Sequence, residues 1–214
     1  MSADTLDKLA FLTLGWLLGM VAPVVTDAIK KRRENALVKI ALDNELREIS
    51  YKLALASYSV NEHLGTVDRT YLQWLQGVIA NYDGPNRSQT IQNITEIPLS
   101  LPDAQLAALF QTWKANKGTN IVVPKFVVPL LDARVSSLWY LENRVQILLL
   151  DIRSNINLLN ELVDQVQYYN RLTFGKLENE TYDRVVANLD GCRRQYAERA
   201  KIIVTKIEAL GSLV

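Results

Sequence analysis

Residues 42–78 read LDNELREISYKLALASYSVNEHLGTVDRTYLQWLQGV, and their apolar side chains recur at a helical period. Leu42, Leu46, Ile49, Leu53, Ala56, Val60, Leu64, Val67, Tyr71, Leu75 and Val78 are separated by gaps of three or four. The mean gap equals the roughly 3.6 residues of one α-helical turn. No proline falls between Pro23 and Pro85, so one long helix is expected to run on to Tyr82-Asp83-Gly84-Pro85. There Gly can adopt a left-handed cap and Pro bars continuation. Gly65 and Gly77 lie inside the run and each costs about 1 kcal/mol relative to Ala. Gly65 is therefore an alternative place for a break.

Two further stretches carry the same signature. Leu138, Leu141, Val145, Leu148, Ile152, Ile156, Leu159, Val163 and Val166 predict a second long helix over about 129–172, ended by Gly175. Tyr182, Val185, Leu189, Cys192, Tyr196, Ala200, Ile203, Ile207 and Leu210 predict a third over about 178–210. Both stripes step at about 3.5 residues, the coiled-coil value. Leu149, Leu150 and Leu162 widen the second stripe, which suits the central helix of a bundle. Between the first and second long helices, residues 83–102 are polar and rich in proline and are expected to be a loop. A short helix is expected over 103–116, with Leu106, Leu109, Phe110 and Trp113 on one side and Gly118 at its end. The stretch 121–131, IVVPKFVVPLL, reads first as a buried loop leading into the next helix. A segment touching a membrane or partner, or a short strand, are the alternatives, the strand disfavoured by Pro124 and Pro129. Long helices joined by compact links fold antiparallel, so the fold class expected is all-α, an elongated antiparallel helical bundle.

Composition agrees with that class. The chain has 214 residues, of which 49% are hydrophobic and 22% charged, too apolar for disorder. Nine glycines and six prolines are few for a protein built of many turns. A single cysteine excludes a disulfide framework, and a single histidine removes most metal and acid–base chemistry.

Residues Leu9–Thr26, LAFLTLGWLLGMVAPVVT, contain no charge. As a helix they span roughly 27 Å, against about 30 Å for the hydrocarbon core of a bilayer. Ala28 and Ile29 extend the stretch. A transmembrane helix is expected, continuing into the bundle. A buried core helix is the first alternative. A cleaved signal peptide is the second, and the acidic opening MSADTLDK argues against it. Lys30, Lys31, Arg32 and Arg33 follow the stretch, whereas Lys8 alone precedes it. Basic flanks stay on the cytoplasmic side. The N-terminus is thus expected outside, with residues 1–33 forming the outer tail, span and basic collar, and 34–214 a cytoplasmic domain at the inner membrane. The unpaired Cys192 suits a reducing compartment, and the sequons at Asn86, Asn93 and Asn179 would carry no sugar there.

Lys30, Lys31, Arg32 and Arg33 are the candidate contacts to anionic lipid headgroups, each worth about 1 kcal/mol. Set those four aside from 24 Lys and Arg and 20 remain against 23 Asp and Glu, which disfavours direct nucleic-acid binding. Gly15 and Gly19 are four apart, the spacing that lets a second helix approach closely, and are the candidate self-association residues. Pro23 would free the carbonyl of Gly19 and is a candidate kink.

No catalytic, cofactor or metal residues are assigned. His63 reads as a helix-surface or cap residue. No glycine loop of the phosphate-binding patterns occurs, and Glu62-His63 fails the Glu-x-x-His spacing of bundle metal sites. Cys192 falls on an apolar stripe and reads as a buried filler. Asp132/Arg134, Glu142/Arg144 and Asp151/Arg153 are acid–base pairs two apart, which cannot face each other on one helix and are expected to bridge to other helices or chains. Asn155, Asn157, Asn160, Gln165 and Gln167 are expected to fix helix register, with a pore or ligand pocket as the alternative.

The layout of an apolar span at Leu9–Thr26, a collar at Lys30–Arg33 and a helical domain behind it resembles small membrane effectors of bacterial phage defence, such as accessory membrane proteins of CRISPR systems and partners of retrons. The chain departs from their HEPN-like members, which pair an Arg with a His four to six residues later: no Arg lies between Arg47 and His63. The resemblance implies homo-oligomers that perturb the inner membrane when an infection signal arrives. The alternative expectation is a membrane-tethered adaptor for a cytoplasmic protein partner. An enzyme is not expected.

Overall fold

A computed structural model of the chain describes residues 3–85, 89–114, 120–176 and 178–211. The Asn86 sequon and Gly118 lie outside them, as do the side chains of Lys8 and Lys31. Every regular element among the described residues is helical. The order is α1 (Ala3–Leu64), α2 (Arg69–Ala80), α3 (Gln89–Leu99), α4 (Asp103–Trp113), α5 (Pro129–Arg134), a 3-10 helix (Val135–Tyr140), α6 (Asn143–Leu172) and α7 (Asn179–Gly211). The chain divides into two compact units, Met1–Asp43 and Asn44–Val214.

The second unit is an all-α bundle. Its core is built from the expected stripes: Leu46, Leu53 and Val60 of α1, Leu75 and Val78 of α2, Ile152, Ile156, Leu159 and Val163 of α6, and Leu189, Tyr196, Ala200 and Ile203 of α7 are all buried. Polar rungs fix the pairing of α6 with α7. Asp151 accepts from Lys206, the Asn155 Oδ1 accepts from Arg199 Nη1 at 2.8 Å, and Gln165 lies 3.6 Å from the Cys192 sulfur. Numbers rise on one helix as they fall on the other, so the two are antiparallel. On the α1 side, the Ser57 hydroxyl donates to the Ala197 carbonyl at 3.1 Å and accepts from the Tyr71 hydroxyl at 2.9 Å, tying α1, α2 and α7 together.

The first long helix stops earlier than its periodicity predicts. It ends at Leu64, not near Tyr82. Gly65 takes φ +67°, its N–H reaches the Glu62 carbonyl at 3.0 Å, and the N–H of Thr66 reaches Asn61 at 2.9 Å. These are the two bonds of a Schellman end. A Cβ on Gly65 would also sit 3.0 Å from Lys114 Cβ. Asp68 then starts α2 by accepting the Tyr71 N–H at 2.6 Å. The stripe passes from α1 to α2 because both helices face the same core.

The expected loop over 83–102 is also corrected, since residues 89–99 form α3. Ile91, Ile94 and Pro98 hold a helical spacing within a polar background, and Thr95 and Pro98 are buried. Pro98 stands in the last turn, where it forfeits only the bond to the Ile94 carbonyl.

The second long helix is likewise not continuous over 129–172. Residues 120–128 are irregular, α5 and the 3-10 helix follow, and Leu141 is extended before α6 starts at Asn143. Within the irregular stretch Val123, Phe126 and Val128 are buried, while Val122 and Val127 are exposed. The reason for the break is visible in two contacts. Arg153 pairs with Asp132 at 2.5 Å, yet 21 residues of unbroken helix would hold them about 32 Å apart. The Glu45 carboxylate accepts the N–H groups of Leu130 and Leu131 at 2.8 and 3.1 Å, satisfying the amides at the start of α5.

Candidate functional site

The first unit is the N-terminal part of α1, and it carries a run of exposed large apolar side chains. Phe11, Leu12, Trp16, Leu17, Met20, Val21, Val25 and Ile29 are all exposed. Soluble proteins rarely leave a contiguous apolar surface of more than a few hundred Å² open to water. The helix is long and apolar enough to cross a membrane by length and composition, and none of its most apolar 18-residue window is buried. Gly15 and Gly19 lie one turn apart on an exposed face, and a Cβ at either would meet open space. α1 runs through Pro23 as helix, with the Thr26 hydroxyl donating to the Ala22 carbonyl at 2.8 Å. Lys30, Arg32 and Arg33 are exposed. Four successive residues at about 100° each encircle a helix, so the backbone positions 30–33 are spread around the whole axis.

The second unit holds the residues of chemical interest. His63, in the last turn of α1, meets a partner the sequence spacing concealed. Arg193 of α7 places Nη1 3.1 Å from His63 Nε2 and 3.2 Å from Asp190 Oδ1. The guanidinium donates only, so Nε2 accepts and the imidazole proton sits on Nδ1. Burial pulls the Arg193 pKa down, and Asp190 opposes that shift. At 1% exposure Arg193 is closed to any substrate, and the cluster aligns α1 with α7.

The acid–base pairs act between elements where their contacts are seen, Asp132 with Arg153 and Asp151 with Lys206. Arg134, Glu142 and Arg144 are exposed. Of the amides, Asn155 and Gln165 form rungs between α6 and α7, and Asn160 clamps the irregular stretch. Its Oδ1 accepts the Phe126 N–H at 2.9 Å and its Nδ2 donates to the Phe126 carbonyl at 2.7 Å. Lys125 adds an ion pair to Asp164 at 2.7 Å. Asn157 and Gln167 face solvent. Cys192 is buried, and burial raises its thiol pKa. Among the described residues no group of three or more His, Cys, Asp or Glu could hold a metal ion.

Comparison with known proteins finds no family model, curated protein or solved structure that matches the chain.

Proposed function

We propose that the chain is a membrane-anchored, self-associating effector that perturbs a bacterial inner membrane, in the manner its layout suggests for phage defence. The observation that carries this reading is the bare apolar surface of α1 between Phe11 and Ile29. Its length matches a bilayer core, and no other part of its own unit covers it. The basic ring at residues 30–33 supports an N-terminus-out orientation, with Lys30, Lys31, Arg32 and Arg33 at anionic headgroups. Gly15 and Gly19 supply the closest approach for a second copy's helix.

The test is expression of the full chain in bacteria with a voltage-sensitive dye. The chain should stay in the membrane pellet after an alkaline wash and depolarise the cells. Gly15→Leu/Gly19→Leu should remain in the pellet and lose the depolarisation. Undiminished depolarisation in that variant overturns the self-association, and recovery of the wild-type chain in the supernatant overturns the anchor.

A tethered adaptor is the second reading. It is favoured by exposed apolar side chains on the second unit, Ile97, Val122 and Val127 among them. An adaptor would anchor without depolarising.

A further inference from the structure

A groove of about 430 Å³ opens between α1, α3 and α4, within the second unit. Small-ligand sites run from roughly 300 to 1,000 Å³. Leu55, Tyr58 and Glu62 form one wall, at spacings of three and four that place them on one face of α1. Ile94 and Ile97 of α3 and Trp113, at the end of α4, also line it.

The lining is apolar and aromatic with one carboxylate. Ile97 is 63% exposed and Trp113 46%, so two large apolar side chains stand half in water at the rim. Trp113 is braced by an edge-on contact with Phe110, ring centroids 5.4 Å apart. The Tyr58 hydroxyl donates to Glu62 Oε1 at 3.2 Å. Burial, then the Glu62 carboxylate, raise its pKa well above the ordinary tyrosine value, so it remains a neutral donor. Ser59 turns its hydroxyl back to the Leu55 carbonyl at 3.2 Å. Among the described residues that line the groove, Glu62 is the one that carries charge.

Charge decides which ligand fits. An anion would be repelled by the Glu62 carboxylate. A neutral apolar molecule would cover Glu62 without compensating its lost water. A cation is attracted by the carboxylate, and the lining also holds two aromatic residues, Tyr58 and Trp113, of the kind that receive organic cations. We propose that this groove binds a small organic cation with an apolar body, an aryl or alkyl quaternary ammonium, its charge beside Glu62, Tyr58 and Trp113 and its apolar part against Ile94 and Ile97. The inference does not depend on whether α1 spans a membrane.

The probe is benzyltrimethylammonium, titrated into the full chain in zwitterionic nanodiscs, with empty nanodiscs as the blank and benzylsulfonate as the anion of matched shape. Calorimetry and tryptophan fluorescence read the binding. Saturable binding of the cation and none of the anion is expected. Glu62→Gln and Trp113→Ala should each weaken the cation by about tenfold or more, with unchanged circular dichroism. Asn93→Asp adds a carboxylate at the exposed rim of the same groove and should tighten binding by roughly two- to threefold. No saturable cation binding, equal binding of benzylsulfonate, or an unaltered affinity in Glu62→Gln overturns the proposal.

Discussion

Leu17 and Leu53 belong to the same helix, yet Leu17 is 51% exposed and Leu53 is fully buried. Around Leu53 apolar residues come every third or fourth position, with charged and polar residues between them, so one face suffices to bury them all. Around Leu17 they come on every face. No single packing partner inside a small bundle can cover such a helix. Periodic hydrophobicity is satisfied by the chain's own fold, and continuous hydrophobicity points to something outside it.

Truncating the two leucines tests that contrast directly. Leu53→Ala should cost about 2–5 kcal/mol of unfolding free energy, read by denaturant titration of circular dichroism in mild detergent. Leu17→Ala should change the same quantity by less than about 0.5 kcal/mol. Equal losses would erase the distinction between the two regions.

A second effect of nearly the same size belongs to the buried unit alone. Burial pushes the Tyr71 phenol from 10.0 up to about 12, against hydrogen bonding with Ser57 and Asn61 that lowers it. A folded-state value above the unfolded one gives stability that is present below the unfolded pKa and lost as pH rises toward the folded one. Between about pH 10 and pH 12 the second unit should therefore lose about 2–3 kcal/mol from this group. Tyr58 and Tyr196 are raised in the same direction by burial and steepen the decline. Tyr71→Phe should make the slope shallower, and an unchanged slope would remove Tyr71 from the account.

The smallest pair of effects has opposite signs. Gly65→Ala forces a side chain into a left-handed backbone and against Lys114 and should destabilise by about 1–2 kcal/mol. Gly77→Ala lies within α2, where a Cβ meets nothing within 4 Å, and should stabilise by up to about 1 kcal/mol. Two glycines that look alike in the sequence separate by the sign of their thermal shift.

The helical class and the core-facing stripes were legible because periodicity survives a break between helices that face one core. Leu64, Val67 and Tyr71 keep the phase of the stripe across the turn at Gly65. For the same reason periodicity could not show where α1 stops. α3 was hidden because its apolar side chains are few, Ile91, Ile94, Ile97 and Leu99, and prolines stand within and around it. The break after Arg134 depends on Asp132 meeting Arg153 and on Glu45 reaching Leu130, contacts over 21 and 85 residues that spacing does not encode. The Arg193–His63 contact spans 130 residues and was concealed for the same reason. Its one local signal is a charged residue placed directly beside Cys192 on an apolar stripe. The groove of α1, α3 and α4 needed three helices in place before Glu62 could be seen as its charged residue.

The ring of Lys30, Lys31, Arg32 and Arg33 has a mechanical corollary. Because its positions point in all directions about the axis, turning the helix presents the same charge to any plane that crosses it. Across the proposed bilayer such a ring would gauge depth and ignore azimuth. In the proposed membrane orientation it would work as a swivel bearing, leaving the heading of the helix to an asymmetric feature, the face bearing Gly15 and Gly19.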